Sequence, residues 1–233
     1  DKCKIGYVGA FPYAEVISGF TSFYLGVKSV CDSATMEVKY TNSWASFDLE
    51  KECAEQLNAD GCVLISQHAD TTGAPTACEA KKVPCVGYNI DMIPTAPDAA
   101  LTSATINWGP YYTYAVQSVI EGTAIDTDWS KGVKDGADAI TELNDKTVAK
   151  GTKEKVEEAQ KGIEDGTIHV FDTSKFTVGG KTLEELVESG DEDATKLQSY
   201  IKDGYFHESD VAGGMTSAPA FTFIIDGIDS ITK

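Results

Sequence analysis

The sequence is short of positive charge. Its 19 basic residues face 37 Asp and Glu in 233, giving a formal net charge of −18. Nucleic acids and anionic lipid surfaces are bound largely by Lys and Arg neutralising phosphates, so this balance excludes general nucleic-acid binding. Long apolar runs are missing too. No stretch reaches the roughly 18 residues a helix needs to cross a bilayer, so any membrane attachment is expected to be through a lipid anchor outside this chain. There is no CxxC pair, and His68, His169 and His207 are scattered, which leaves no basis for a metal site. GxSxG, HExxH, a Walker loop and a strand-following GxGxxG are all absent. His68 and Asp70 stand two apart on one loop, poor geometry for a relay, and Asp126 and Asp128 read as solvated. The reading is a non-enzyme without a cofactor.

What is present suffices for a real core: 42% of the residues are hydrophobic. Asp1-Lys2-Cys3-Lys4 leads straight into a strand-like segment, so any secretion signal is expected to have been removed or never present. Short β runs occupy residues 4–9, 36–41, 62–67, 84–89 and 101–106. Between them lie helical patterns. Val16, Phe20, Phe23, Tyr24, Val27 and Val30 make the first; Leu49, Cys53 and Leu57 the second, with Asp48 as N-cap. Ala74, Ala77, Cys78 and Lys81 suggest a third. Tyr112, Ala115, Val116, Val119 and Ile120 follow Pro110 as a fourth. Strand–helix alternation at this spacing predicts an α/β fold, a parallel sheet with helices on both faces.

The second half has a different texture. Residues 122–150 are rich in Gly, Asp and Thr; a charged helix is expected over 152–164; Ile168–Phe171 reads as strand-like. Phe176 to Thr182 carries a Gly-Gly hairpin signal, and Ala218 to Ile228 reads as a closing strand. The expected organisation is a lobe over 1–121, a connection and returning helix over 122–165, and a C-terminal extension over 166–233. All six cysteines fall before residue 86. They are either small buried hydrophobes or disulfides of an exported protein; a Cys62–Cys78 bridge is the preferred pair, because both positions lie at one end of a strand–helix unit.

Open parallel sheets bind ligands beyond the carboxyl ends of their strands. The residues just past each strand here are rich in rings and short polar groups. Phe11, Asn42, Trp44, His68, Asp70, Asn89, Asp91 and Trp108 are the candidate ligand contacts. Each has a plainer reading: Trp44 as strand-end packing, Trp108 as an anchor for the next helix, His68 as a satisfied loop histidine, Asp70 and Asp91 as caps or turn formers. Together they suit a neutral or weakly cationic, ring-containing small molecule.

The segments VGAFPYAEVISGFTSFYLGVKSV, YTNSW, ISQHADTTG, VGYNIDM and LTSATINWGPYY, in that order, resemble the basic membrane protein (BMP) family. These are PnrA-like solute-binding lipoproteins of ABC transporters. The similarity runs to about residue 165, and DGYFHES resembles C-terminal extensions of some members. The resemblance implies a type I periplasmic-binding lobe at the extracellular face of the membrane or in the periplasm, with an ABC permease as partner. It implies a missing first lobe segment, with residues around 107–135 displaced or paired with a second copy in a homodimer. Trp44 matches the ring on which the nucleoside branch stacks purines, and Asn89 and Asp91 inherit polar contacts. Ile106 stands where that branch has Lys, and the His68–Asp70 loop departs from its Gly-rich loop. The resemblance thus implies capture of a purine-nucleoside-like heterocycle in an interlobe cleft. The alternatives are a sensor domain using the same cleft and, further off, a flavodoxin-like enzyme.

Overall fold

The computed structural model describes residues 3–208, 210–211, 214–215 and 218–231. Strand β1 (Lys4–Gly9) is buried from Ile5 onward, the signature of a strand covered on both faces. It is followed by α1 (Ala14–Lys28), β2 (Thr35–Tyr40), α2 (Phe47–Ala59), β3 (Ile65–His68), α3 (Gly73–Lys81), β4 (Cys85–Tyr88), β5 (Ala100–Ile106) and α4 (Gly109–Glu121). Next come β6 (Asp138–Ile140) and α5 (Thr152–Glu164). The remainder holds α6 (Leu183–Glu188), α7 (Glu192–Lys196), β7 (Ile201–Lys202), β8 (Tyr205–Phe206), β9 (Asp210–Val211), β10 (Gly214–Met215) and β11 (Ile228–Ile231).

One seven-stranded sheet runs β11-β2-β1-β3-β4-β5-β6. Every pairing in it is parallel except β5 with β6. β7–β8 and β9–β10 are small antiparallel pairs. Alternate residues of β1 feed two separate cores: Ile5 and Tyr7 join α1 on one face, while Val8 packs with Ala54, Leu57 and Cys78 of α2 and α3 on the other. Gly6 is what lets α2 approach, since a Cβ there would stand 3.1 Å from Leu57. The expected α/β architecture with helices on both faces is what forms.

Details differ. α2 starts at Phe47, with Ser46 at the N-cap position and Asp48 inside the first turn. Its buried face carries Glu50, Ala54 and Leu57, and Leu49 is exposed. Ile168–Phe171 forms no strand. The Gly-Gly turn does form: Val178 and Lys181 exchange backbone hydrogen bonds, with Gly179 and Gly180 at φ +58° and +79°. Asp226 accepts both glycine N–H groups. The closing strand lies later than expected, at Ile228–Ile231, where it pairs with β2. Phe221, Phe223 and Ile225 before it are buried without pairing as a strand, in the same core as α1, Phe171, Phe176 and Phe206.

The cysteine pairing also departs from expectation. None of the six cysteines, all of them among the described residues, forms a disulfide. Cys78 packs in one buried cluster with Cys62 and Cys85, and the Cys85 thiol beside it, then burial, pushes the Cys78 thiol up. Burial, then the neighbouring Cys31, raises the Cys3 thiol as well.

Candidate functional site

The parallel ladder ends at one edge, and backbone hydrogen bonds tie the following loops together there. Ala10 N–H donates to the His68 carbonyl (3.1 Å), Thr41 N–H to Gly9 (2.9 Å), and Asp70 N–H to Trp44 (2.8 Å). Asn42 and Asn89 turn the chain at φ +55° and +65°, a left-handed conformation that asparagine tolerates better than most residues. Two buried side chains hold the β3–α3 loop: Gln67 Nε2 donates to the carbonyls of Ala69 (2.7 Å) and Thr71 (3.0 Å), and Glu50 accepts the Thr71 N–H.

These ties gather a platform of rings. Phe11 and Tyr13 stack with centroids 5.1 Å apart and planes 13° off parallel. Trp44 lies 5.7 Å from Phe11 and 6.4 Å from Tyr13. His68 continues the row, 6.2 Å from Trp44 and 4.4 Å from Tyr88. Polar groups border it. Asn89 Nδ2 donates to Asp70 Oδ1 (3.2 Å), and Glu15 Oε1 stands 3.6 Å from His68 Nε2. Burial pulls the His68 pKa down to about 4. Desolvation, then repulsion from Asp70, raises that of Glu15. Tyr88 is pushed up to about 12 by burial and by both carboxylates. At neutral pH this edge therefore carries a neutral imidazole, a neutral phenol and negative charge.

Of the sequence candidates, the structure brings Phe11, Trp44, His68, Asp70 and Asn89 together. Asn42 is exposed at the turn before Trp44. Asp91 Oδ1 accepts the Ile93 N–H (2.9 Å), so that carboxylate serves its own turn. Trp108 stands apart: it stacks on Tyr112 and lines a different groove, of about 460 Å³, with Tyr111, Trp129 and Asp138. Five further residues at this edge lie outside that candidate set, Tyr13 beside Phe11 among them. Glu15 looked like a helix-start residue only; Tyr88, Gln67 and Glu50 look like ordinary strand and helix positions. A buried glutamine next to the last residue of a strand was the one available signal.

A ring-lined edge at the carboxyl ends of parallel strands, flanked by hydrogen-bonding groups, is where open parallel sheets generally bind small molecules. A sequence description of the Bmp family, the PnrA-like ABC transporter substrate-binding proteins, matches residues 1–172. The chain belongs to that family. It is 32% identical over 166 residues to a purine-binding protein of Brucella abortus, covering 71% of this chain and 47% of the relative. A Haloferax volcanii protein provisionally named an ABC transporter glucose-binding protein is 30% identical over 177 residues, 76% of this chain and 45% of the relative. This Bmp-family chain spans about half the length of these curated relatives. Its fold matches a solute-binding protein of an ABC transporter system from Conexibacter woesei, with TM-score 0.57 at 20% identity, covering 71% of this chain and 56% of the other. The family is one of transport proteins, not of enzymes. Among the described residues, no helix is long and apolar enough to cross a membrane.

Proposed function

We propose that the chain supplies one lobe of an extracellular solute-binding protein that captures a flat heterocycle of purine type for an ABC permease. The observation that carries this reading is the Phe11–Tyr13–Trp44 platform beside Asp70, Asn89 and His68. Stacked rings supply a sequence-independent grip on a planar ligand, and directed polar groups at its rim supply identity. The purine-binding relative supports the ligand class. Closure against a second lobe, driven by the ligand's better fit to the closed state, is the proposed mechanism of capture. The protein acts at the outer face of the membrane or in the periplasm, catalyses nothing and needs no cofactor.

Glucose is the second reading, since one relative is named for it and sugar rings also stack on tryptophan. A thermal-shift screen against adenine, adenosine, guanosine and glucose, with Trp44→Ala as control, separates the two. A purine ligand at about 100 times its Kd adds about 2.7 kcal/mol to the native state, a shift of several degrees that Trp44→Ala should abolish. A shift with glucose alone would overturn the purine reading.

A further inference from the structure

A carboxylate in a first helical turn has only to sit near the free N–H groups of the helix end. Glu15 does more. Its half-exposed side chain reaches the sheet edge, where Oε1 stands 3.6 Å from His68 Nε2, beyond hydrogen-bond distance. That nitrogen is the second observation. His68 Nε2 is buried, its side chain is only 8% exposed, and it has no hydrogen-bond partner. Buried polar atoms are nearly always paired, so an orphan on a ligand-facing edge marks a place that something else completes.

The charge around it has one sign. Asp70 adds a second carboxylate whose field reaches Glu15. Among the described residues, Glu15 has no ion-pair partner other than His68, and Asp70 has none. None of the chain's 19 basic residues is an arginine, so the bidentate fork that recognises phosphate is unavailable anywhere in it. The N-terminus of α1 would otherwise attract an anion, but Glu15 already occupies that position.

We infer that Glu15, with Asp70 and His68, is the selectivity edge of this surface: it accepts hydrogen bonds from ring N–H or amino groups of an uncharged or cationic heterocycle and refuses the same heterocycle carrying a phosphate. The inference rests on the heterocycle reading above and adds the residue that discriminates. A carboxylate is an acceptor only, so it rewards donors on the ligand. A phosphate brings between one and two further negative charges to an edge where no cation pairs with Asp70 among the described residues.

Isothermal titration of the purified protein with both lobes present, against adenine, adenosine and adenosine 5′-monophosphate, tests it. The wild type is expected to bind the monophosphate at least about 100-fold more weakly than adenosine, since facing like charges are strongly disfavoured. Glu15→Gln keeps size and removes charge; it should weaken adenine about tenfold and narrow the adenosine-to-monophosphate ratio by a similar factor. Asp70→Asn, on an exposed loop residue, should narrow the ratio too and serves if Glu15→Gln fails to fold. Equal binding of adenosine and its monophosphate by the wild type, or a ratio unchanged in both folded variants, overturns the selectivity edge and leaves the heterocycle reading standing. No binding of any of the three overturns both.

Discussion

Helices α1 and α4 carry apolar stripes of similar reach, and only one stripe is covered. On α1, Val16, Ile17, Phe20, Tyr24 and Leu25 are buried. On α4, Tyr112 is 60% exposed, Val116 59%, Val119 70% and Ile120 73%, and Ser118 alone is buried. A stripe therefore states that a helix has a packing face, without stating that this part of the chain supplies the other side. α1 gets its cover from residues far along the sequence. Phe171, Phe176, Phe206, Phe221 and Phe223 close over it, with the Phe221 ring 4.6 Å from Phe171 and 5.1 Å from Phe206. The sharpest way to break the comparison is to empty that lid. Phe221→Ala is expected to cost about 3–5 kcal/mol in denaturant unfolding, the range for a large ring lost from a packed core. A cost under 1 kcal/mol would mean that the C-terminal segment does not hold α1.

The same contrast explains what could be read in advance. Strands β1 to β5 and their helices were legible because short β-prone runs, the central ones buried on both faces, alternate with segments of helical spacing. The lid was not. Phe221, Phe223 and Ile225 alternate as a strand would, but alternation reports which side is buried and says nothing about whether a neighbouring backbone pairs with it. The pairing instead falls to Ile228–Ile231 on the edge of β2. At the candidate site, the strand-end rule picked Phe11, Trp44, His68, Asp70 and Asn89, which do lie together, since a parallel sheet delivers those loops to one edge. It could not find Glu15, which arrives from a helix. It also picked Trp108, which stands apart from the other five because β5 is followed by a chain that leads away to the α4 groove.

The second test uses the site end of α1. His68 is neutral and buried there, with a folded pKa near 4 against about 6.5 when unfolded. The unfolded chain takes up this proton first as pH falls. The contribution of His68 is therefore fully present above about pH 6.5 and is lost progressively toward pH 4, by up to about 3 kcal/mol. Glu15 faces the ring from α1, and Trp44 and Tyr88 from the neighbouring strand ends. Since carboxylates elsewhere also titrate below pH 5, the informative quantity is the difference from His68→Phe, which keeps a flat ring and removes the proton site. The variant's stability should vary less across pH 4–6.5. Parallel curves for the two proteins would show that desolvation does not hold His68 neutral.

The smallest expected effect is the most discriminating one for α4. Its apolar groups already stand in water, so replacing them removes little burial. Val119→Lys and Ile120→Lys, alone or together, should change unfolding free energy by no more than about 0.5 kcal/mol each, whereas a charge placed at Phe20 on α1 has no water to reach. Exposed apolar surface on this scale also drives association. The unsubstituted protein is therefore expected to self-associate at high concentration, and the double lysine variant should sediment more nearly as a monomer. If the lysines instead cost 2 kcal/mol or more at low concentration, the stripe is covered within a single chain. The difference between α1 and α4 would then be one of degree, and the second half of the sequence would have supplied a lid for both.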